Sequence, residues 1–325
     1  MESISGIREN DAPKIPPFAD SHMHFTVAGR PASAEELQHI ITTYQQYGIF
    51  SLRDMGQRSG IGLAAKKMTG KMLEVRSAGY ALFKKGGYGS FLGRGVSGEK
   101  EIREGVREIG RAGADFIKVI NSGIVTTRGP GLVTEGGFSF RELKMIQEEA
   151  LALNLGVACH ANSDGAVRDA VRAGASSIEH GFYVSRETLH LMAESGTVWT
   201  PTAFALLSLV PLAAPSEGRY IEKVVDDHLA SLQYAASIGV RLRVGSDSGS
   251  KGVRHGESFF AELRLWQKAG LTVEQILPAA CMDRTEVMKG NYLQAGKDFI
   301  SAGRVTAVFR NGIRADFSGP CPDER

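Results

Sequence analysis

At 325 residues the chain exceeds a small single domain and suits one large α/β unit, with two small domains as the other possible division. Its 42% hydrophobic and 23% charged residues describe a chain able to bury a large core, which excludes disorder, coiled coil and collagen-like repeats. Lys and Arg number 38 against 36 Asp and Glu, so the net charge of +2 offers no electrostatic footprint for nucleic acid or an anionic membrane and points to a small-molecule partner.

In chain order, short β-branched and apolar runs predict strands at Pro17–His24, Ile49–Asp54, Leu73–Ala78, Phe116–Ile120, Val157–His160, Ser177–Glu179, Val198–Pro201 and Arg241–Gly245. Apolar residues at helical spacing occupy Glu99–Arg111, Phe140–Leu153, Asp164–Ala173, Arg186–Glu194, Ile221–Ile238 and Ser258–Ala269. Gly174, Gly196 and Gly239 follow such segments, where a helix C-terminus turns through the left-handed region. This alternation predicts successive βα units, and about eight strands is the number at which a parallel sheet closes into a barrel. The expected fold class is α/β, a (β/α)8 TIM-type barrel.

Two stretches break the rhythm. Lys84–Gly98 is too glycine-rich for a regular element and reads as a loop, either a lid or plain surface. The apolar segment Ala203–Pro215 follows a predicted strand and reads as packing against the barrel mouth or a subunit, or as a substrate pocket. Cys159, Cys281 and Cys321 are widely spaced, without the pairing of a disulfide framework, which suits a reducing compartment. The polar N-terminus carries no apolar signal core and no apolar run approaches the ~20 residues of a spanning helix, so a soluble, cytoplasmic protein is expected.

The chemistry gathers at strand ends. His22 and His24 alternate along the first strand, which points both imidazoles to one face, where they can grip one cation or remain hydrogen-bonded interior groups. Lys118 interrupts an apolar strand, a placement that is costly unless the amine is neutralised, paired or snorkelling. His160 and His180 end the fifth and sixth strands, and Asp247 follows the eighth, as a ligand or as the cap of the next helix. All six fall at or near the carboxyl ends of parallel strands, the face of such a barrel where catalytic groups collect.

These motifs, from FADSHMHF through LRDMG, GADFIKV, ACHA, SIEHG and GSDSG to HGESFFAELRLWQKAGLTVEQIL, resemble the amidohydrolase superfamily, in particular its imidazolonepropionase-like and prolidase-like branch. The resemblance implies two divalent metal ions, zinc foremost. His22, His24 and Asp247 would hold the more buried ion and His160 and His180 the more exposed one, with Lys118 carboxylated by carbon dioxide to a bridging carbamate. It further implies hydrolysis of an amide or peptide C–N bond in a small substrate by a hydroxide between the metals, with Asp247 as catalytic proton shuttle.

Close relatives flank the barrel with a small β-sandwich. Here the expected division is an N-terminal extension over 1–14, the barrel over 15–290 and a C-terminal tail with remnant strands over 291–325, so that the sandwich is vestigial or missing. No carboxylate follows His160 as in deaminases of the superfamily, and no arginine follows His24 as in dihydroorotase-like members. A lactonase, carbamate hydrolase or phosphotriesterase on the same residues, and a catalytically silent metal-binding barrel, remain alternatives. Substrate-contact candidates are Arg53, His255, Tyr88 and Arg94, whereas strand alternation turns Cys159 away from the metals. A homo-oligomer is possible.

Overall fold

The computed structural model describes residues 13–69, 73–129 and 131–315. Strands Phe18–Met23, Ile49–Asp54 and Glu74–Ser77 form one parallel sheet. A second has the spatial order Arg241–Leu242, Val198–Thr200, Ser177–His180, Gly156–Ala161, Phe116–Ile120, Ala81–Lys84 and Gly93–Val96, again parallel at every step. Backbone hydrogen bonds link the two sheets on both sides, from Ser21 N–H to Val244 O at 2.9 Å and from Asp115 N–H to Ser77 O at 2.9 Å. The fold is α/β and of the TIM-barrel type.

Parallel strands bury both faces and so read as continuous apolar runs, which is why the pattern was legible. Phe116–Ile120 is buried at every position, Lys118 included. Outside lie helices that start where capping requires. Ser33 with Glu36 and Ser139 with Glu142 form capping boxes for Ala34–Gln46 and Phe140–Ala152, while Gly174 (φ 105°) and Gly196 (φ 69°) close Asp164–Ala173 and Arg186–Ser195. The helices pack into a core that includes Trp199, Trp266 and Phe18, the last in ring contact with Phe259, Phe260 and Phe299.

The glycine-rich run departs from expectation, because Gly93–Val96 is a strand and not loop. A Cβ on Gly93 would lie 1.7 Å from Ala81 O, so the glycine that lowers strand propensity is what allows the chain to lie so close to Ala81–Lys84. The long helix begins at Pro215, six residues before the predicted start, with proline in its first turn. The eighth ladder is shorter than predicted, Arg241–Leu242, and the chain beyond it runs irregularly to Asp247.

Lys14–Ile15, Tyr292–Gln294, Ala307–Arg310 and Ile313–Arg314 form a small antiparallel sheet that ties the two ends of the described chain together. Cys321, residues 1–12 of the expected extension and the end of the tail lie outside the described residues. Among the described residues no helix is long and apolar enough to cross a membrane.

Candidate metal centre

His22, His24, Lys118, His160, His180 and Asp247 all line one cavity of about 400 Å³. The His22 and His24 rings lie 5.6 Å apart between centroids. Asp247 Oδ1 stands 3.6 Å from His22 Nε2 and 3.4 Å from His24 Nε2, and one ligand atom from each of these three residues lies within 4.8 Å of the others. The His180 ring sits between the other pairs, 4.8 Å from His22 and 4.6 Å from His160.

Each imidazole commits one ring nitrogen outward. His22 Nδ1 meets Glu179 Oε2 at 2.8 Å, His24 Nδ1 meets Gly56 O at 2.9 Å, His160 Nε2 meets Gly123 O at 3.1 Å and His180 Nδ1 meets Thr202 Oγ1 at 2.6 Å. Against a carboxylate or carbonyl that nitrogen is the N–H donor, and in a neutral ring the other then carries the lone pair a metal requires; the Thr202 hydroxyl can take either role toward His180, and His24 Nε2 faces Asp247. Two candidate ligands sit in left-handed backbone, His180 at φ 67° and Asp247 at φ 57°, each at a cost on the order of 1 kcal/mol. Local bonds hold them there: Trp199 Nε1–H donates to His180 O at 2.7 Å and Asp247 N–H donates to His22 O at 2.7 Å.

Burial, with Lys118 as the next contributor, lowers His22 and brings His160 down to about 3; burial and the neighbouring imidazoles hold His180 well below its ordinary value. These directions favour the neutral ring a ligand needs; in His24 burial also lowers the imidazole, but the hydrogen bond to Asp247 and its charge outweigh burial and raise it. Burial opposes ionisation of Asp247, but the His24 hydrogen bond and the His22 ring outweigh it and hold the carboxyl at about 2. Burial pulls Lys118 down to about 8, and its Nζ, in a residue 1% exposed, has no hydrogen-bond partner. An amine left bare among four imidazoles is costly as it stands. Carboxylated, it would offer two oxygens to a set that already holds four imidazoles and a carboxylate, so the residues fit a pair of divalent ions.

The amidohydrolase family pattern matches residues 14–297. The chain belongs to the amidohydrolase family. Ochratoxinase of Aspergillus niger is 32% identical over 193 residues, which is 57% of this amidohydrolase but only 38% of the fungal protein's length. An uncharacterized protein of Mycobacterium tuberculosis is 27% identical over 278 residues, 83% of this chain and 72% of that protein. The crystal structure of A. niger ochratoxinase superposes with a TM-score of 0.77 at 24% identity, over 100% of this chain and 91% of the other. A Xaa-Pro dipeptidase with methionine in its active site superposes at 0.76 with 20% identity, over 97% and 90%. At these identities the superpositions show a shared fold.

The substrate-contact candidates divide. Tyr88 lines the amidohydrolase's cavity, its ring 5.8 Å from that of His160. Arg53 does not line it: Nη1 pairs with Glu179 Oε1 at 2.9 Å and the guanidinium lies over the Phe116 ring, so Arg53 braces the carboxylate that orients His22. His255 is likewise behind the wall, with Nε2 2.9 Å from His24 O. Arg94 pairs with Glu108 and lines a separate cavity with Arg58 and Tyr80. Cys159 is buried in the core cluster, away from the cavity lining. Sequence reading overlooked Glu179, although a carboxylate inside the buried Ser177–His180 strand is the same signal that exposed Lys118. The Ala203–Pro215 segment forms a short helix, Ala203–Leu207, and a turn, and contributes Ala205, Leu206 and Leu209 to the cavity.

Proposed function

We propose that this amidohydrolase is a binuclear metal-dependent hydrolase that cleaves an amide or peptide C–N bond of a small substrate, with Asp247 carrying the proton. The observation behind the reading is Lys118 Nζ, buried without a partner in the cavity that also holds four histidines and Asp247. His22, His24 and Asp247 would hold one ion, His160 and His180 the other, and Lys118, carboxylated, would join them. Divalent ions there supply Lewis acidity toward a carbonyl oxygen and toward water.

The chain's own residues account for the rest. Glu179, Gly56, Gly123 and Thr202 fix the four rings before any ion arrives. Asp247, held by Ser250 Oγ–H at 3.0 Å, is the only carboxylate among the described lining residues. It accepts the proton of the attacking water and returns it to the departing amine. The names of the relatives, ochratoxinase and Xaa-Pro dipeptidase, support the C–N reading.

Elemental analysis of metal-replete protein should find about two divalent ions per chain, with zinc expected. Lys118→Ala should lose the pair, and short carboxylic acids should restore part of it. A stoichiometry near zero in the wild type, or two ions with full activity on an unmodified Lys118, overturns the centre.

A further inference from the structure

A second cavity, of about 380 Å³, has Arg58, Tyr80, Phe83, Arg94 and Glu108 in its lining. It shares a wall with the metal cavity, because chain neighbours face different sides. Gln57 lines the metal cavity and Arg58 the second; Phe91 and Leu92 line the first, whereas Ser90 before them and Gly93 after them line the second. Residues 90–93 thus form a partition a single chain thick. The turn that carries Arg58 is fixed in place. Gly60 N–H donates to Gln57 O at 2.7 Å, Ser59 N–H to Gln57 Oε1 at 2.6 Å, and Gln57 N–H to Gly79 O at 3.0 Å, which ties the turn to the residue before Tyr80.

The second cavity holds donors without acceptors. Arg94 Nη1 pairs with Glu108 Oε2, which balances one guanidinium. Arg58, exposed, makes no ion pair or hydrogen bond among the described residues, so its charge has no local counterpart. The Tyr80 hydroxyl oxygen is buried, and it too has no hydrogen-bond partner among the described residues, a cost that an acceptor in the cavity would relieve. Burial raises the Tyr80 pKa, with Glu108 adding and Arg94 opposing, so the hydroxyl keeps its proton to donate. Two guanidiniums against one carboxylate leave a single positive charge, the complement of a monoanion. The volume exceeds what a carboxylate alone fills, and Phe83 supplies an apolar wall. A Cβ on Gly95 would lie 2.9 Å from Phe83 Cζ, so the bare glycine leaves that ring uncovered.

We infer that this cavity binds an organic monocarboxylate through Arg58 and the Tyr80 hydroxyl, with its apolar body against Phe83, and that its occupancy is felt in the metal cavity across the partition. A ligand that orders Arg58 and residues 90–93 orders Gln57, Phe91 and Leu92 with them. Coupling of this kind is reciprocal, so a ligand in the metal cavity alters affinity for the carboxylate in turn.

The test titrates the metal-replete full chain with benzoate, with its neutral isostere benzamide and with inorganic phosphate, by calorimetry. Benzoate can also meet the metals, so the event to follow is the one that depends on Arg58. Arg58→Gln, with thermal unfolding and metal content unchanged, should weaken that event about tenfold, as loss of a charge-assisted pair does, and Tyr80→Phe about threefold. Benzamide should bind at least about tenfold more weakly than benzoate, and phosphate should not displace it. To read across the partition, Phe91→Trp puts an indole in the metal cavity. Its emission should shift on adding benzoate, and adding Arg58→Gln to that variant should raise the benzoate needed about tenfold. Equal benzoate affinity in wild type and both single variants, or benzamide as good as benzoate, overturns the site. Phosphate that displaces benzoate at equal concentration overturns the carboxylate assignment in favour of an inorganic oxyanion. Arg58-dependent binding with no change in indole emission overturns the coupling and leaves the site standing.

Discussion

Asp247 is proposed to do two jobs, holding an ion and moving a proton, and substitution can separate them. Asn keeps one oxygen for the ion but cannot carry the proton, so Asp247→Asn should lower kcat by ~10²–10⁴ with metal content within twofold of wild type. Wild-type turnover by a fully metallated variant would sink the shuttle. Arg53 acts at one remove. Without its guanidinium, Glu179 keeps only His22 and Ser177 as side-chain partners in a fully buried position. Arg53→Met should weaken metal affinity about 10–100-fold through the loosened His22 ring. It should also cost less than the ~3–5 kcal/mol of breaking a fully buried pair, because Arg53 is itself partly exposed. Metal titration together with urea unfolding checks both.

At the scale of elements, the Ala203–Leu207 helix depends on a carboxyl from another helix. Glu262 accepts from Ala203 N–H at 3.1 Å, Phe204 N–H at 2.7 Å and Trp266 Nε1–H at 3.0 Å, yet burial outweighs these bonds and pushes its carboxyl up to about 7. The folded chain therefore holds a proton that the unfolded chain releases above about 4.5. This contribution is fully present below that pH and is lost as pH rises through about 7. Each unit is worth about 1.4 kcal/mol, so stability should fall by about 3 kcal/mol across the window and Glu262→Gln should flatten the slope. Denaturant unfolding at pH 5 and pH 8 is the measurement, and equal slopes in both proteins would refute it. Gly93→Ala should destabilise by about 1–3 kcal/mol, since its Cβ has no room against the Ala81 carbonyl.

These elements also show what a sequence discloses. Phe116–Ile120, Ile49–Asp54 and Asp164–Ala173 were readable to the residue because burial on both faces, or on one helical stripe, writes itself as periodicity. Gly93–Val96 was not, because the property that places it there is the absence of a side chain. The cluster of His22, His24, Lys118, His160, His180 and Asp247 was legible because each is a polar group where an apolar one belongs. The roles of Arg53 and His255 were not legible, because their partners, Glu179 and His24, lie 126 and 231 residues away.

For the whole molecule, the small antiparallel sheet sets a limit on trimming. Leu293 is fully buried and pairs through its backbone with Ile15, and Phe299 lies against Phe18 of the first parallel strand. Leu293→Ala should cost about 2–5 kcal/mol as a cavity substitution, while the metal content of the folded fraction stays at the wild-type level. A thermal shift measured with and without metal separates the two, and a variant that unfolds as wild type would mean that this sheet carries no weight.

The seam between the two sheets has a consequence for how the protein comes into being. Asp20 and Ser246, joined there by hydrogen bonds, are 226 residues apart, and Asp247 meets His22 across the same seam. A chain emerging from the ribosome carries both histidines of the first strand almost at once, but Asp247 arrives only after most of the other strands have been made. The proposed set of His22, His24 and Asp247 therefore cannot assemble until the two ends of the parallel array have met. Pairings of such long range are slow to form. In the proposed centre metal capture would report completed topology, and nascent chains halted before Asp247 should bind zinc no more tightly than an unfolded histidine-containing peptide.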